Sequence, residues 1–351
     1  MHPNYDYLII GQGLSGSLLA WCLIEAGQRV LVIDNQNPSA ASRVAAGLIN
    51  PVTGKRLVKE SGVDAYLASA RECYTQLEKA FDQKFMYDKS MLRLLDNDQI
   101  KQAWQKRSED PEYHQYLGKY LSPDESAYPT GGFLQQQTGY LLTGNLLTSL
   151  RAYLMQHEAY IRSEFDYRQL TITEKIHWQE YQAKRIIFCE GARVINNPWF
   201  RQLPMQPAQG EILTLQTNEA LPEWIINGGQ WLLPLDHGLF KIGATYVWPT
   251  VNKPLDEKIT QTGKQTLLKA LEKLFPALKE YRLVEHAVGI RPNSRDKRPL
   301  LGFHAQYPHM AVFNGFGSKG SMLIPYYAKH FTDVLLNGAE LYSDVDIKRS
   351  L

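Results

Sequence analysis

The stretch that most constrains what this chain can fold into is residues 5–34, YDYLIIGQGLSGSLLAWCLIEAGQRVLVID. Leu8, Ile9 and Ile10 form a short apolar run that breaks at three glycines, Gly11, Gly13 and Gly16. Apolar residues then recur at helical spacing (Leu18, Leu19, Trp21, Cys22, Leu23, Ala26) until Gly27, and a second apolar run over residues 30–33 ends in Asp34. The pattern predicts strand, glycine turn, helix, strand and acid: one βαβ unit of a parallel sheet. Each part answers a physical requirement. Gly11 permits the tight turn off the strand, Gly13 leaves room for a diphosphate to approach the backbone, and Gly16 lets helix and strand pack closely. The amides of Leu14, Ser15 and Gly16 open the helix, where the dipole favours an anion. Asp34, roughly 20 residues past the first glycine, is placed to accept hydrogen bonds from ribose hydroxyls and would repel a 2′-phosphate, which disfavours NADP. The motif alone does not separate FAD from NAD.

At 351 residues the chain exceeds one simple core, and two domains are expected. A hydrophobic share of 44% and a charged share of 21% are ordinary for a soluble globular protein, and a net charge of +2 gives no bulk-charge reason to expect DNA or a membrane as partner. Cys22, Cys73 and Cys189 sit in apolar or helical surroundings and form no CxxC pair, which argues against a disulfide framework, a metal site and a flavin disulfide reductase. The first strand begins almost at Met1, leaving no room for a signal peptide, and no apolar run reaches about 18 residues. A cytoplasmic protein without membrane insertion is the expectation.

Past Asp34 the segment 35–56 is rich in small residues, and Ser42, Ala45, Ala46 and Gly47 would let backbone lie flat against a planar ligand. Lys55 and Arg56 read either as a solvated pair or as charge for an acidic substrate. Residues 63–81 carry apolar positions at helical spacing, 91–95 read as a strand, and 97–130 as peripheral helices and loops. Strand character resumes over 131–142, a helix is expected over 146–157, and further strands over 160–172 and 183–192, the latter ending in Gly191-Ala192. Residues 207–247 alternate strand and turn signals, as in an antiparallel sheet, and 258–275 form an amphipathic helix closed by Pro276. Residues 310–338 repeat the strand, glycine turn, helix sequence.

Five stretches in this order, GQGLSG with Asp34, ASRVAAGL, QWLLPLDHGLFKIGATY, VGIRPNSRDKRPLLG and NGFGSKGSMLIP, resemble the D-amino-acid-oxidase superfamily of FAD-dependent oxidoreductases. Within it the chain is similar to glycine-oxidase-type enzymes and to the FAD domain of the bifunctional tRNA wobble-uridine modification enzyme, most of all at GSKG and GLINP. The resemblance implies an α/β fold (α+β overall) with FAD as cofactor. A Rossmann-like FAD-binding domain (1–85, 140–200 and 287–351) would be interleaved with an antiparallel-sheet substrate domain (86–139 and 201–286). It implies that Gly11, Gly13 and Gly16 hold the diphosphate and Asp34 the ribose. Ser42, Ala46, Gly47 and Leu48 would line the isoalloxazine, with Arg43 in the same segment among the cofactor contacts. Phe165 would reach the adenine side and Gly191 the diphosphate. The turn Gly315, Gly317, Ser318, Lys319, Gly320 and Ser321 would present N–H groups and a helix N-terminus to the flavin N1/C2=O edge, where reduced flavin is anionic. Lys319 reads either as added charge there or as a solvent-facing lysine.

Arg291 matches the family arginine that binds the substrate carboxylate, a role that suits a guanidinium fork. The alternative is a structural arginine paired with Asp296 or Glu285. Trp231 stands where the glycine and D-amino acid oxidases carry a tyrosine, so a bulkier or more apolar amine is expected. Tyr246 faces the site or the core. No Cys or His stands at the usual flavin-attachment positions, so FAD is expected to be noncovalent. The implied activity is FAD-dependent oxidation of an amine or amino-acid C–N bond. Two rivals stay open at this point: an NAD-dependent dehydrogenase, and a flavoprotein module working with a partner or in tRNA modification. Neither the electron acceptor nor the oligomeric state is legible.

Overall fold

The computed structural model describes residues 4–249 and 256–350. The opening apolar runs become the strands Asn4–Ile10 and Val30–Asp34, joined by the helix Leu14–Glu25. They lie side by side in a parallel layer ordered Tyr160–Arg162, Val30–Asp34, Asn4–Ile10, Tyr181–Phe188, Met310–Asn314. Both faces of this layer are covered, which is why its strands read as continuous apolar runs rather than alternating ones. Tyr7 and Ile9 point into one core with the helices Leu14–Glu25, Val63–Phe81 and Gly320–Asn337. Leu8 and Ile10 point into the other, an aromatic layer around Phe165, Trp178, Phe188 and Phe200. The strand Tyr181–Phe188 forks: its first half pairs antiparallel with Ile176–Trp178 and its last three residues pair parallel with Met310–Asn314.

A second sheet has eight strands, in the order Arg282–Arg291, Ala208–Gln216, Leu239–Gly243, Gln230–Pro234, Ile225–Gly228, Met91–Leu94, Gly132–Gln135, Leu117–Leu121. The helix Gln261–Leu274 covers it through Leu267, Leu271 and Leu274. A three-stranded sheet, Leu48–Ile49, Gly139–Leu141 and Met86–Asp88, bridges the segment after Asp34 to the start of the second sheet.

Several expectations are corrected by this architecture. Residues 97–130 are not helices and loops alone. They contain the strand Leu117–Leu121, an edge strand with an irregularity in register and a solvent-facing Lys119, features that blunt an edge and also hide its two-residue period. The expected antiparallel sheet contains one parallel junction, Ile225–Gly228 against Met91–Leu94. The boundary expected at residue 287 falls inside the strand Arg282–Arg291, which belongs wholly to the second sheet. The helix expected from 258 begins at Gln261, where Thr260 Oγ1 accepts from the Gly263 N–H.

Candidate cofactor and substrate site

A cleft of about 770 Å³ opens along the carboxyl ends of the parallel strands and runs to the second sheet. That is the place and the size expected of a ligand site in an open α/β layer. At one end Gly11, with φ +104°, turns the chain off the first strand; a Cβ there would stand 2.6 Å from the Cys189 carbonyl oxygen. A Cβ on Gly16 would stand 1.9 Å from the Gly11 oxygen, so this glycine serves helix–strand packing. Gly13 is different: a Cβ there would meet only Ser42 Oγ at 3.4 Å, so the missing side chain leaves space that a ligand can take. The N-cap residues Gly13 and Lys319 supply no side-chain cap to the helices Leu14–Glu25 and Gly320–Asn337, though at the first the Leu14 N–H is taken by Ser42 Oγ. Both starts border the cleft, so two sets of N–H groups that a helix cannot satisfy internally are offered to an anionic ligand. These features fit a dinucleotide cofactor.

Asp34 lines the cleft, but its oxygens are already engaged: Oδ1 accepts from the Gln12 N–H (3.0 Å) and Oδ2 from the Gln36 N–H (2.8 Å). These bonds lock the carboxylate in place and leave lone pairs for a diol. Ser42 Oγ accepts from the Leu14 N–H at 3.0 Å, so this side chain braces the glycine turn. Ser42, Ala46, Gly47 and Leu48 all line the cleft. Gly47 is a true backbone requirement, with φ +68° and a virtual Cβ 1.9 Å from the Leu141 oxygen. Arg43 does not line the cleft. Its guanidinium lies 3.8 Å from Asp34, burial and the neighbouring Arg151 push its pKa down, and its Nη2 is buried without a hydrogen-bond partner. Phe165 and Gly191 line the far end, Phe165 stacked on Trp178.

Toward the second sheet, Gly317, Ser318, Lys319, Gly320 and Ser321 line the cleft, whereas Gly315 packs behind against Leu300. Lys319 is neither solvent-facing nor free: it forms an ion pair with Glu60. Arg291 lines the cleft from the edge strand of the second sheet. Its Nη1 donates to the Gln209 carbonyl (3.3 Å) and its Nη2 to the Thr245 carbonyl (3.2 Å), and its guanidinium lies 4.7 Å from the centre of the Tyr246 ring. Burial pushes its pKa down. Neither suggested partner takes it, since Asp296 pairs with Arg349 and Glu285 accepts from Thr214. Among the described residues no carboxylate pairs with Arg291, so a half-buried cation faces the cleft without a counter-ion. Tyr246 itself is half exposed and outside the cleft lining; it supports Arg291 through its ring, and its hydroxyl accepts from Asn293 Nδ2 at 2.8 Å. Trp231 lines the cleft and leans over Gly243, where a Cβ would stand 2.5 Å from the indole.

The sequence reading missed Asn50, Thr53 and Asn227, which line the cleft near the second sheet, and Glu190, which lines it beside the glycine turn. Glu190 stands directly after the strand–cysteine run and before Gly191; a carboxylate in that apolar context was the available signal. Asn50 follows GLI with no periodicity to mark it.

A parallel layer carrying a dinucleotide turn, closed by a mixed sheet that delivers an unpaired arginine, is the arrangement of a flavin-dependent oxidoreductase. The chain belongs to the DAO family of FAD-dependent oxidoreductases, whose sequence profile matches residues 6–334. FAD is therefore the cofactor, and the NAD alternative is set aside. The chain is similar to the glycine oxidase of Bacillus subtilis (strain 168), 21% identical over 366 residues that cover 96% of this chain and 94% of that protein. It is also similar to the tRNA 5-methylaminomethyl-2-thiouridine biosynthesis bifunctional protein MnmC of Hahella chejuensis, 24% identical over 365 residues covering 95% of this chain and 57% of that protein. It spans only about half the length of the bifunctional relatives it matches. The crystal structure of glycine oxidase from Bacillus cereus ATCC 14579 superposes with a TM-score of 0.82 at 19% identity, covering 96% of each chain. No helix among the described residues is long and apolar enough to cross a membrane.

Proposed function

We propose that this protein oxidises the C–N bond of an amine or amino acid whose carboxylate is bound by Arg291. The observation that carries this reading is the half-buried guanidinium of Arg291, held by two carbonyls and a tyrosine ring and paired with no carboxylate among the described residues. Such a group is a preformed receptor for a planar anion, because removing it from water without a counter-charge is costly unless a ligand supplies one. Bound FAD supplies a hydride acceptor. The substrate gives up the hydrogen on its α-carbon and a proton from nitrogen, leaving an imine that water hydrolyses to a carbonyl compound and an amine or ammonia.

The protein's own part is positioning. Gly11, Gly13, Gly16 and the start of Leu14–Glu25 would hold the diphosphate, Asp34 the ribose and Phe165 the adenine side. Ala46, Gly47, Leu48 and the turn 317–321 would bound the isoalloxazine. Arg291 would fix one end of the substrate while Trp231 limits the space for the rest. Holding the reacting carbon in one orientation supplies a large part of such a rate without a dedicated base. The start of Gly320–Asn337 would support negative charge on reduced flavin through its N–H groups, while Lys319 beside it is already neutralised by Glu60. We place this reaction in the cytoplasm.

Anaerobic addition of a panel of amino acids and N-substituted glycines to the purified protein should bleach the flavin bands with at least one carboxylated amine. Arg291→Ala should lower kcat/KM for that amine by at least tenfold. Unchanged kinetics in the variant would remove Arg291 from the site; flavin that no amine bleaches would shift weight to a partner-dependent module.

A further inference from the structure

Glu190 is a carboxyl group in an unexpected place. Its Cα lies 3.6 Å from where a Cβ on Gly11 would stand, which sets it against the first glycine of the diphosphate turn, and it lines the same cleft as Gly11, Gly13 and Asp34. Its two oxygens are held by neutral donors only, the Tyr167 hydroxyl and Asn197 Nδ2, the latter at 2.8 Å. Arg193, whose charge acts on this carboxyl, is paired with Glu164 at 3.4 Å instead. The glycine turn contributes dipoles but no charge, and Glu164 adds charge of the same sign. Burial holds the carboxyl at about 7, against the pull of Tyr167, Asn197 and Arg193. An ionised Glu190 would place a like charge beside the turn that holds the FAD diphosphate.

We propose that Glu190 is a cofactor-site residue that must be the neutral acid when FAD is seated, so that flavin retention is coupled to one proton on this carboxyl. The sign follows from linkage. The loaded protein holds the proton more tightly than the empty one, because the diphosphate disfavours the carboxylate. FAD affinity is then flat below the empty-state titration and falls above it, by up to tenfold per pH unit while one proton is coupled. FAD as cofactor follows from family membership, and this coupling is independent of which amine is oxidised.

The test is FAD release from the holoenzyme, diluted into buffers from pH 6 to 9 and followed by recovery of free-flavin fluorescence. The Kd for FAD should rise at least tenfold between pH 6.5 and 8.5, and Glu190→Gln should flatten that profile. Tyr167→Phe removes a donor that favours the charged form, so its profile should keep the slope but turn at higher pH, an outcome that decides the matter even if the glutamine variant does not fold. A flat wild-type profile, an unchanged slope in Glu190→Gln, or a turning point in Tyr167→Phe that moves to lower pH would each overturn the proposal. Because no amine enters the measurement, its failure is separate from failure of the substrate reading.

Discussion

Arg291 has exchanged its hydration for two backbone carbonyls and the face of Tyr246, and the strand beside it is shaped around that choice. Gly210, its neighbour on the adjacent strand, has no side chain, and a Cβ there would stand 2.3 Å from both Nη atoms. Gly210→Ala should therefore displace the guanidinium without altering any charge. The expected result is a rise in KM for carboxylated amines that exceeds the change for amines lacking a carboxylate; equal effects on both would argue against the carboxylate contact. Glu190 makes a second residue-scale prediction, on the apoprotein. Its carboxyl titrates near 7 when folded against 4.5 unfolded, so the folded state is favoured while the group is protonated. That contribution is complete below about pH 4.5 and is lost as pH rises through 7, and it amounts to about 3 kcal/mol. In urea titrations of the apoprotein, Glu190→Gln should become progressively more stable relative to wild type between pH 5 and 8. A constant difference across that range would show that the carboxyl does not titrate in the fold.

At the scale of elements, the second sheet separates chemistry from support by strand alternation. Along Ala208–Gln216, Gly210 and Ile212 face the cleft while Glu211 between them points the other way, toward the helix Gln261–Leu274. There Glu211, 2% exposed, accepts from the Thr260 N–H (2.9 Å) and Oγ1 (2.7 Å) and hydrogen-bonds His286 Nε2 at 2.6 Å. Gly263 is small because a Cβ would stand 2.2 Å from that carboxylate. Glu211→Ala leaves Thr260 and His286 without their partner and should cost about 3 kcal/mol of stability, read from urea unfolding, with the FAD affinity of the folded fraction unchanged. Loss of flavin binding at full stability would place Glu211 in the site instead.

For the whole molecule, neither sheet is built from one continuous segment. The eight-stranded sheet takes three strands from residues 91–135 and five from 208–291, and the parallel layer takes strands from residues 4–34, 160–188 and 310–314. The join between the two groups of the large sheet is the parallel pair of Ile225–Gly228 and Met91–Leu94. A fragment of residues 201–291 exposes Ile225–Gly228 as an unpaired edge and leaves Ile226 and Leu232 without Leu92 and Leu94, their companions in the core. Such a fragment should lack cooperative unfolding by circular dichroism; a sharp transition would mean the substrate-side sheet folds without its first three strands.

What the sequence determined by itself was everything carried by local pattern. The turn Gly11 to Gly16, the helix Val63–Phe81, Asp34 at a strand end and the strand–turn–helix around residue 317 are each specified by a few consecutive residues whose backbone needs are visible in their types. The family motif around Arg291 belongs with them. The tertiary structure alone decided what pairs with what: that no carboxylate among the described residues pairs with Arg291, that Lys319 meets Glu60 some 260 residues away, that Tyr246 braces an arginine rather than lining the cleft, and that Leu117–Leu121 joins a sheet. Glu190 shows the reason. Its identity is plain in the chain, but its chemistry depends on burial set against hydrogen bonds from Tyr167 and Asn197, groups that only folding brings within reach, and no local pattern encodes the dielectric a side chain will meet.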